Sequence, residues 1–301
     1  MRVGRGRRVG RGRRVGRGRR VGREDLSGPV VTRFAPSPTG RLHLGHAYSA
    51  ISNAGRARAA GGRFLLRIED IDRGRCRPEY EDAIYEDLRW LGIRWDGPVP
   101  RQSDRMALYA ERLEALRAEG LLYRCFRSRA DVAEAMRAAH GAPDGGFRPG
   151  PLPARAEAAR LAGGAPFAWR LDLARAMAGR APTYRERVGD AVRTVCADPS
   201  AHGDAVLARK DIGTSYHLAS VTDDIAQGVT EVIRGRDLAD AAPLHALLYD
   251  LFGADPPLYE HHGLIEGPDG RRLAKRDGAA TLAAMRAAGA TPDDVRARLP
   301  L

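Results

Sequence analysis

The 301-residue chain has little of what would place it outside a cell or in a bilayer. Its three cysteines, Cys76, Cys125 and Cys196, are odd in number and far apart. That excludes a disulfide-built scaffold and argues for reduced thiols in a cytoplasmic protein. No apolar run approaches the roughly 20 residues needed to cross a bilayer, so no membrane partner is expected. Acidic residues are missing from the first 23 positions, where Val-Gly-Arg-Gly-Arg-Arg occurs three times and eleven arginines accumulate. This stretch accounts for nearly all of the formal net charge of +12, leaving +1 from Glu24 onward. A pI near 10.3 would on its own point to a polyanion binder. The distribution withdraws that inference for the body of the chain. The start also lacks an apolar h-region and an amphipathic pattern, so neither a secretory signal nor a transit peptide is read there. Its glycines and like charges predict a disordered tail over residues 1–29.

Where apolar and polar residues do form a pattern, the first informative stretch is Arg33-Phe34-Ala35-Pro36-Ser37-Pro38-Thr39-Gly40-Arg41-Leu42-His43-Leu44-Gly45-His46. A short β-branched run, Val30 to Thr32, reads as a buried strand ending on Arg33. Two prolines and a glycine then exclude regular structure, and Ala47 to Ala60 has helix-forming composition. Strand, turn and helix in this order aim backbone N–H groups and the positive end of a helix at one point, where a nucleotide phosphate can sit. Gly45 leaves room for a base or ribose between His43 and His46. By spacing alone, the His-x-x-His element equally describes a helix-entry turn with two surface histidines.

Further on, Gly62 to Asp70 is an apolar strand ending on Glu69 and Asp70, at the strand end where α/β sheets bind ligands. Asp70 and Asp72 read as residues that orient neighbouring loops or cap a helix. Helices are predicted over Glu79–Trp90, Ser103–Leu122, Ala154–Ala162 and His245–Leu251, with another opening at Tyr216. Residues 141–153 form a Gly/Pro loop. Phe167–Leu171 and Asp204–Arg209 read as strands that return the chain to the main sheet, and the segment between them is ambiguous. Val229 to Ile233 is a β-branched strand ending on Arg234, a bidentate partner for a carboxylate. Gly267 to Gly278 is a basic loop with glycine at both ends and Lys275 near its centre, suited to closing over a triphosphate.

The wording of these segments resembles the glutamyl-specific class I aminoacyl-tRNA synthetases. Arg33 to Gly40 followed by His43-Leu44-Gly45-His46 is similar to their signature and HIGH motif. The resemblance implies that Arg33 and Ser37 hold glutamate, and that His43, Gly45 and His46 contact ATP. It further implies that Glu69 takes the amino group of glutamate, Tyr216 contacts it, and Arg234 takes its side-chain carboxylate. Arg272-Leu273-Ala274-Lys275-Arg276 resembles the KMSKS loop, with Lys275 at the ATP-contacting position; the family usually has Lys at Arg272 and Ser at Ala274. His43, His46 and Lys275 are the implied catalytic residues, and Mg²⁺ is expected with ATP.

The implied fold is α/β: a Rossmann-like parallel sheet in a nucleotide-binding catalytic domain, split by an inserted α/β acceptor-type subdomain. Its halves fall at 30–105 and 204–262, the insert at 106–203, and a loop and helical end at 263–301. One departure concerns metal. Relatives often carry zinc in the insert through Cys-x-Cys and a further Cys, but here Cys125 remains, Arg127 stands at the second position, and no cysteine follows in 141–153. Four deprotonated ligands are not at hand, so zinc is not expected. A second departure is length, because too few residues follow the loop for an anticodon-binding domain. This likens the chain to the short branch of the family that activates glutamate without tRNA and places it on queuosine in the anticodon of tRNA(Asp). The alternatives are a shortened synthetase charging a tRNA 3′ end, and a non-catalytic paralogue that binds glutamate or nucleotide. No residue reads out oligomeric state, and a monomer is the working expectation.

Overall fold

A computed structural model of the chain describes residues 28–138, 146–265 and 280–301. The first strand, β1 (Val31–Phe34), is buried at every position and runs parallel to β2 (Arg63–Leu66), pairing Val31 with Arg63 and Phe34 with Leu66. Between them lies helix α1 (Leu44–Ala59). It begins three residues before the predicted start because His43 caps it, its Nδ1 accepting the Gly45 N–H at 3.1 Å. Helix α2 (Pro78–Trp90) follows β2, with Pro78 at its first turn, and helix α3 (Met106–Ala118) comes after a single 3₁₀ turn over Gln102–Asp104. That turn is pinned by Asp70, whose carboxylate accepts from Ser103 N at 2.8 Å and from Ser103 Oγ at 2.6 Å.

The chain then builds a separate antiparallel sheet of β3 (Leu122–Cys125), β4 (Ala168–Leu171) and β7 (Val206–Ala208). Helices α4 (Arg129–Ala138) and α5 (Ala154–Ala162) are carried on the β3–β4 connection. The expectation that Phe167–Leu171 and Asp204–Arg209 return the chain to the main sheet is therefore corrected: they pair with each other, Trp169 against Ala208. Buried Asp204 fixes this corner by accepting from Tyr123 Oη at 2.7 Å and Leu173 N at 3.2 Å. A five-residue helix, α6 (Leu173–Met177), comes next. The actual return runs through the segment left ambiguous by sequence, as the hairpin β5 (Thr183–Val188) and β6 (Ala191–Cys196).

Helix α7 (Tyr216–Gln227) is capped by Ser215 and ends on Gly228, whose φ of 65° is left-handed. After it come β8 (Glu231–Gly235), α8 (Ala242–Leu251) and β9 (Leu258–His262), then the short helices α9 (Leu282–Ala287) and α10 (Pro292–Arg296). The larger sheet has the order β6-β5-β9-β8; β8 and β5 run parallel to β9, and β6 is the antiparallel edge. Its seam with β1 is stitched by Thr230, whose N–H reaches Val31 O at 2.9 Å and whose Oγ1 accepts the Val31 N–H at 2.8 Å. Asn53 of α1 adds a bond from Nδ2 to Ile233 O at 2.8 Å.

One apolar core joins Phe34, Leu42, Ile84 and Leu88 to Leu282 and Val295 from the chain's last helices. A second gathers Tyr109, Leu171, Leu207, Leu218 and Leu247. Each Leu or Ile buried to this extent contributes about 2 kcal/mol. Rigid packing on both sides thus fixes where the ends of β1, β2, β8 and β9 lie.

Candidate active site

These strand ends open into a cleft of about 400 Å³. The turn after β1 forms one wall, and its carbonyls are tied down: Glu69 N donates to Pro36 O and Arg77 N to Pro38 O, both at 3.0 Å. At the start of α1 the two imidazoles lie with ring centroids 3.9 Å apart. His46 Nδ1 accepts the His43 backbone N–H at 3.2 Å. A neutral ring accepting at Nδ1 carries its proton on Nε2, a donor suited to a phosphate oxygen. At Gly45 an added Cβ would come to 3.0 Å from His43 Cε1, so the glycine keeps this pair closely packed.

Beneath the cleft, three arginines and three acids form a closed set. Arg67 is fully buried and reaches Asp224 at 2.7 Å, Glu69 at 3.1 Å and Asp223 at 3.6 Å. Arg33 contacts Asp224 through Nε at 3.3 Å. Arg105 donates to Asp223 at 2.6 Å, and Tyr109 Oη and Gln102 complete that carboxylate's partners at 2.8 and 2.9 Å. Burial opposes ionisation of Asp224, but Arg33 and Arg67 outweigh it and hold its pKa below the ordinary carboxylate value. For Glu69 burial wins, lifting its pKa above the usual value against the pull of Arg67 and Arg33.

Arg234 is held differently. It is 4% exposed, and among the described residues no carboxylate lies within ion-pair distance of it. Its Nη1 donates to Tyr216 Oη at 3.2 Å and its Nε to His261 Nε2 at 3.3 Å, while its carbon lies 5.0 Å from the centroid of the Tyr259 ring. Its Nη2 is buried without a hydrogen-bond partner among the described residues. A buried guanidinium with a free donor at a cleft wall is a receptor for an anion.

The structure brings Arg33, Ser37, His43, Gly45, His46, Glu69, Tyr216 and Arg234 to this one cleft. Lys275 and its loop lie outside the described residues. Arg67, Asp223 and Asp224, which sequence reasoning passed over as site-building residues, turn out to support Arg33 and Glu69; a charged residue inside the apolar run from Phe64 to Ile68 was the available signal. Behind Tyr216, the buried His245 is 3.1 Å from His217 Nδ1, and burial pushes the His217 pKa down to about 4. A second cavity of about 450 Å³ shares Ser37, Glu69 and Tyr216 with the first and continues toward Asp72, Arg75 and Arg209.

Cys125 is buried on β3, and among the described residues no group of three or more His, Cys, Asp or Glu side chains could hold a metal ion. Arg127 instead lies 5.8 Å from the Phe147 ring, and Arg124 pairs with Glu157 at 2.7 Å. This donor set does not fit a tetrahedral zinc site. No helix among the described residues is long and apolar enough to cross a membrane.

With this geometry, the family described as tRNA synthetases class I (E and Q), catalytic domain, matches residues 29–297. The chain belongs to that family. It is 50% identical over 288 residues to the glutamyl-Q tRNA(Asp) synthetase of Rhodobacter capsulatus, covering 89% of this chain and 98% of that one. The glutamyl-Q tRNA(Asp) synthetase of Symbiobacterium thermophilum is 43% identical over 281 residues, covering 87% and 83%. Among solved structures, a glutamate tRNA ligase from Elizabethkingia meningosepticum, in complex with its amino acid, aligns with a TM-score of 0.68 and 31% identity. The alignment covers 83% of this chain and 53% of that one, so the chain spans about half the length of the solved relative. The mixed α/β fold is that of the glutamate-type class I catalytic domain.

Proposed function

We propose that this chain activates L-glutamate with ATP, without tRNA, and transfers the glutamyl group to the queuosine base of tRNA(Asp). The observation that carries the glutamate reading is Arg234, buried with an unpaired donor and no carboxylate partner, which calls for an acidic substrate side chain. Arg33 takes the other carboxylate, Glu69 the ammonium, and Ser37 and Tyr216 act as hydroxyl contacts. Two cations and one anion match two carboxylates and one amine.

A glutamate α-carboxylate oxygen attacks the α-phosphorus of ATP as the bond to pyrophosphate breaks. The nucleophile is already ionised, so positioning and charge neutralisation suffice and no general base is needed. His43 and His46 donate to phosphate oxygens beside Gly45, Lys275 adds its charge, and Mg²⁺ arrives with ATP. A hydroxyl of the acceptor, entering through the adjoining cavity, then attacks the carbonyl carbon and AMP leaves. On this reading the larger sheet with β1 and β2 is the Rossmann-like nucleotide fold, with halves at 30–105 and 204–262. The β3-β4-β7 sheet with α4 and α5 is the acceptor-type insert expected over 106–203; β7 falls just past that bound, and β5 and β6, inside it, belong to the larger sheet. The tail expected over 1–29 and the loop expected at the start of 263–301 lie mostly outside the described residues; the active species is a monomer without zinc.

The choice of acceptor is supported by the near full-length match to the Rhodobacter enzyme. The test is ATP-dependent transfer of labelled glutamate to tRNA(Asp) with queuosine and to tRNA(Asp) with unmodified guanosine. Label on the first alone is expected. Label that requires an intact tRNA 3′ end would make the chain a shortened 3′-charging synthetase. Label on neither, with no glutamate-dependent pyrophosphate exchange, would leave a binding paralogue.

A further inference from the structure

The question left by Arg234 is how a buried guanidinium keeps its orientation without being neutralised. A carboxylate in direct contact would fix it and also occupy the donors that a substrate needs. Here the fixing atom is a lone pair, because Nε donates to His261 Nε2 at 3.3 Å. A ring that accepts at Nε2 carries its one proton on Nδ1, and that atom lies 3.1 Å from Glu186 Oε1 on β5. Glu186 is in turn anchored by Arg193 of β6 at 2.7 Å. The His261 ring stacks on Tyr259 with an interplanar angle of 2° and centroids 6.0 Å apart, which leaves it little freedom to turn. The negative charge therefore stands one imidazole away from Arg234.

We propose that His261, held in one neutral tautomer by Glu186, is a positioning residue that orients Arg234 for the glutamate side-chain carboxylate, and that protonating it loosens that grip. This rests on the reading of Arg234 given above. A second proton would place an N–H on Nε2 facing the N–H of Arg234 Nε. Two donors and two positive charges would meet where one hydrogen bond had been, and Arg234 would turn away. The charged and titratable groups facing His261 are Glu186 from β5, Arg234 from β8 and its neighbour His262 on β9. Burial and Arg234 lower the His261 pKa from its ordinary value, with Glu186 pulling the other way. The proton is therefore taken up only below the ordinary imidazole range, and glutamate binding weakens there.

The test measures L-glutamate binding to the full chain by calorimetry between pH 8 and pH 5.5, and KM for glutamate and for ATP in pyrophosphate exchange. His261→Leu is expected to weaken glutamate about 10-fold while KM for ATP stays within about 2-fold. His261→Gln offers an amide oxygen to Arg234 and an N–H to Glu186, and cannot titrate. It should recover most of the affinity and lose the weakening that the unaltered chain shows toward pH 5.5. If His261→Leu binds glutamate normally, or His261→Gln weakens in acid like the unaltered chain, the inference is overturned. Should His261→Leu unfold, the Gln variant decides alone. Arg234→Met separates the two levels: if it binds glutamate normally, the reading of Arg234 has failed and this inference with it. If it loses glutamate while His261→Leu does not, only the positioning role has failed.

Discussion

Arg67 and Arg234 are both buried beside the same cleft, Arg67 just past the end of β2 and Arg234 near the end of β8, and they are held in opposite ways. Arg67 meets three carboxylates, at 2.7, 3.1 and 3.6 Å. Arg234 meets a phenol, an imidazole and the face of an aromatic ring. The cation that holds the fold together has its anions supplied by the chain, whereas the cation that faces the cleft has been left to find one.

The sharpest way to break the contrast is Arg67→Met. It takes from Glu69, Asp223 and Asp224 the arginine they share, leaving a surplus of buried negative charge, and should cost about 3–5 kcal/mol in urea unfolding. Arg234→Met should do the reverse. Stability stays level or rises, since an unpaired buried charge is removed, while glutamate affinity falls about 100-fold, or ~3 kcal/mol, by calorimetry. Equal stability losses in the two variants would erase the distinction.

Asp87 gives an anionic counterpart to Arg234. Its carboxylate is fully buried on α2 with no hydrogen bond among the described residues, and Arg286 stands 3.3 Å from it. Burial lifts its pKa to about 6 from 3.8. The folded state thus binds this proton more readily than the unfolded chain, and stability falls as pH rises from near 4 through 6. Asp87→Asn should therefore raise stability by roughly 1–3 kcal/mol at pH 8, a gain that vanishes near pH 4 in parallel unfolding series. A gain independent of pH would mean that ionisation is not its cause. The smallest effect is expected from Tyr216→Phe, which takes one acceptor from Arg234 and should weaken glutamate by about 1 kcal/mol with KM for ATP unchanged.

How much of this could be read from the chain follows from distance along it. His43 and His46 share one helix entry, and Arg33, Glu69 and Arg234 end or follow β-branched or apolar runs, so local pattern located them. Arg67 interrupts such a run, but its role could not be read locally, because it comes from Asp223 and Asp224 more than 150 residues later. The β5–β6 hairpin escaped for another reason. Charged and polar residues interrupt its valines and tyrosine, and β6 is an exposed edge, a pattern with no apolar face strong enough to mark a strand. Sheet membership misled for β4 and β7, since a short apolar run looks alike in either sheet, and buried Asp204 decides the corner through contacts with Tyr123 and Leu173.

One feature of the packing bears on how the protein comes off the ribosome. The core around Phe34, Ile84 and Leu88 is completed by Leu282, Met285, Val295 and Leu299. Thr281 pairs with His43, and Leu282 N donates to Leu42 O at 2.9 Å. The half of the cleft made first must wait for residues made far later in the chain, so it emerges with an open apolar face. Truncating the nascent chain before residue 282 should leave that face exposed, a vulnerability to chaperones and proteases set by the order of synthesis.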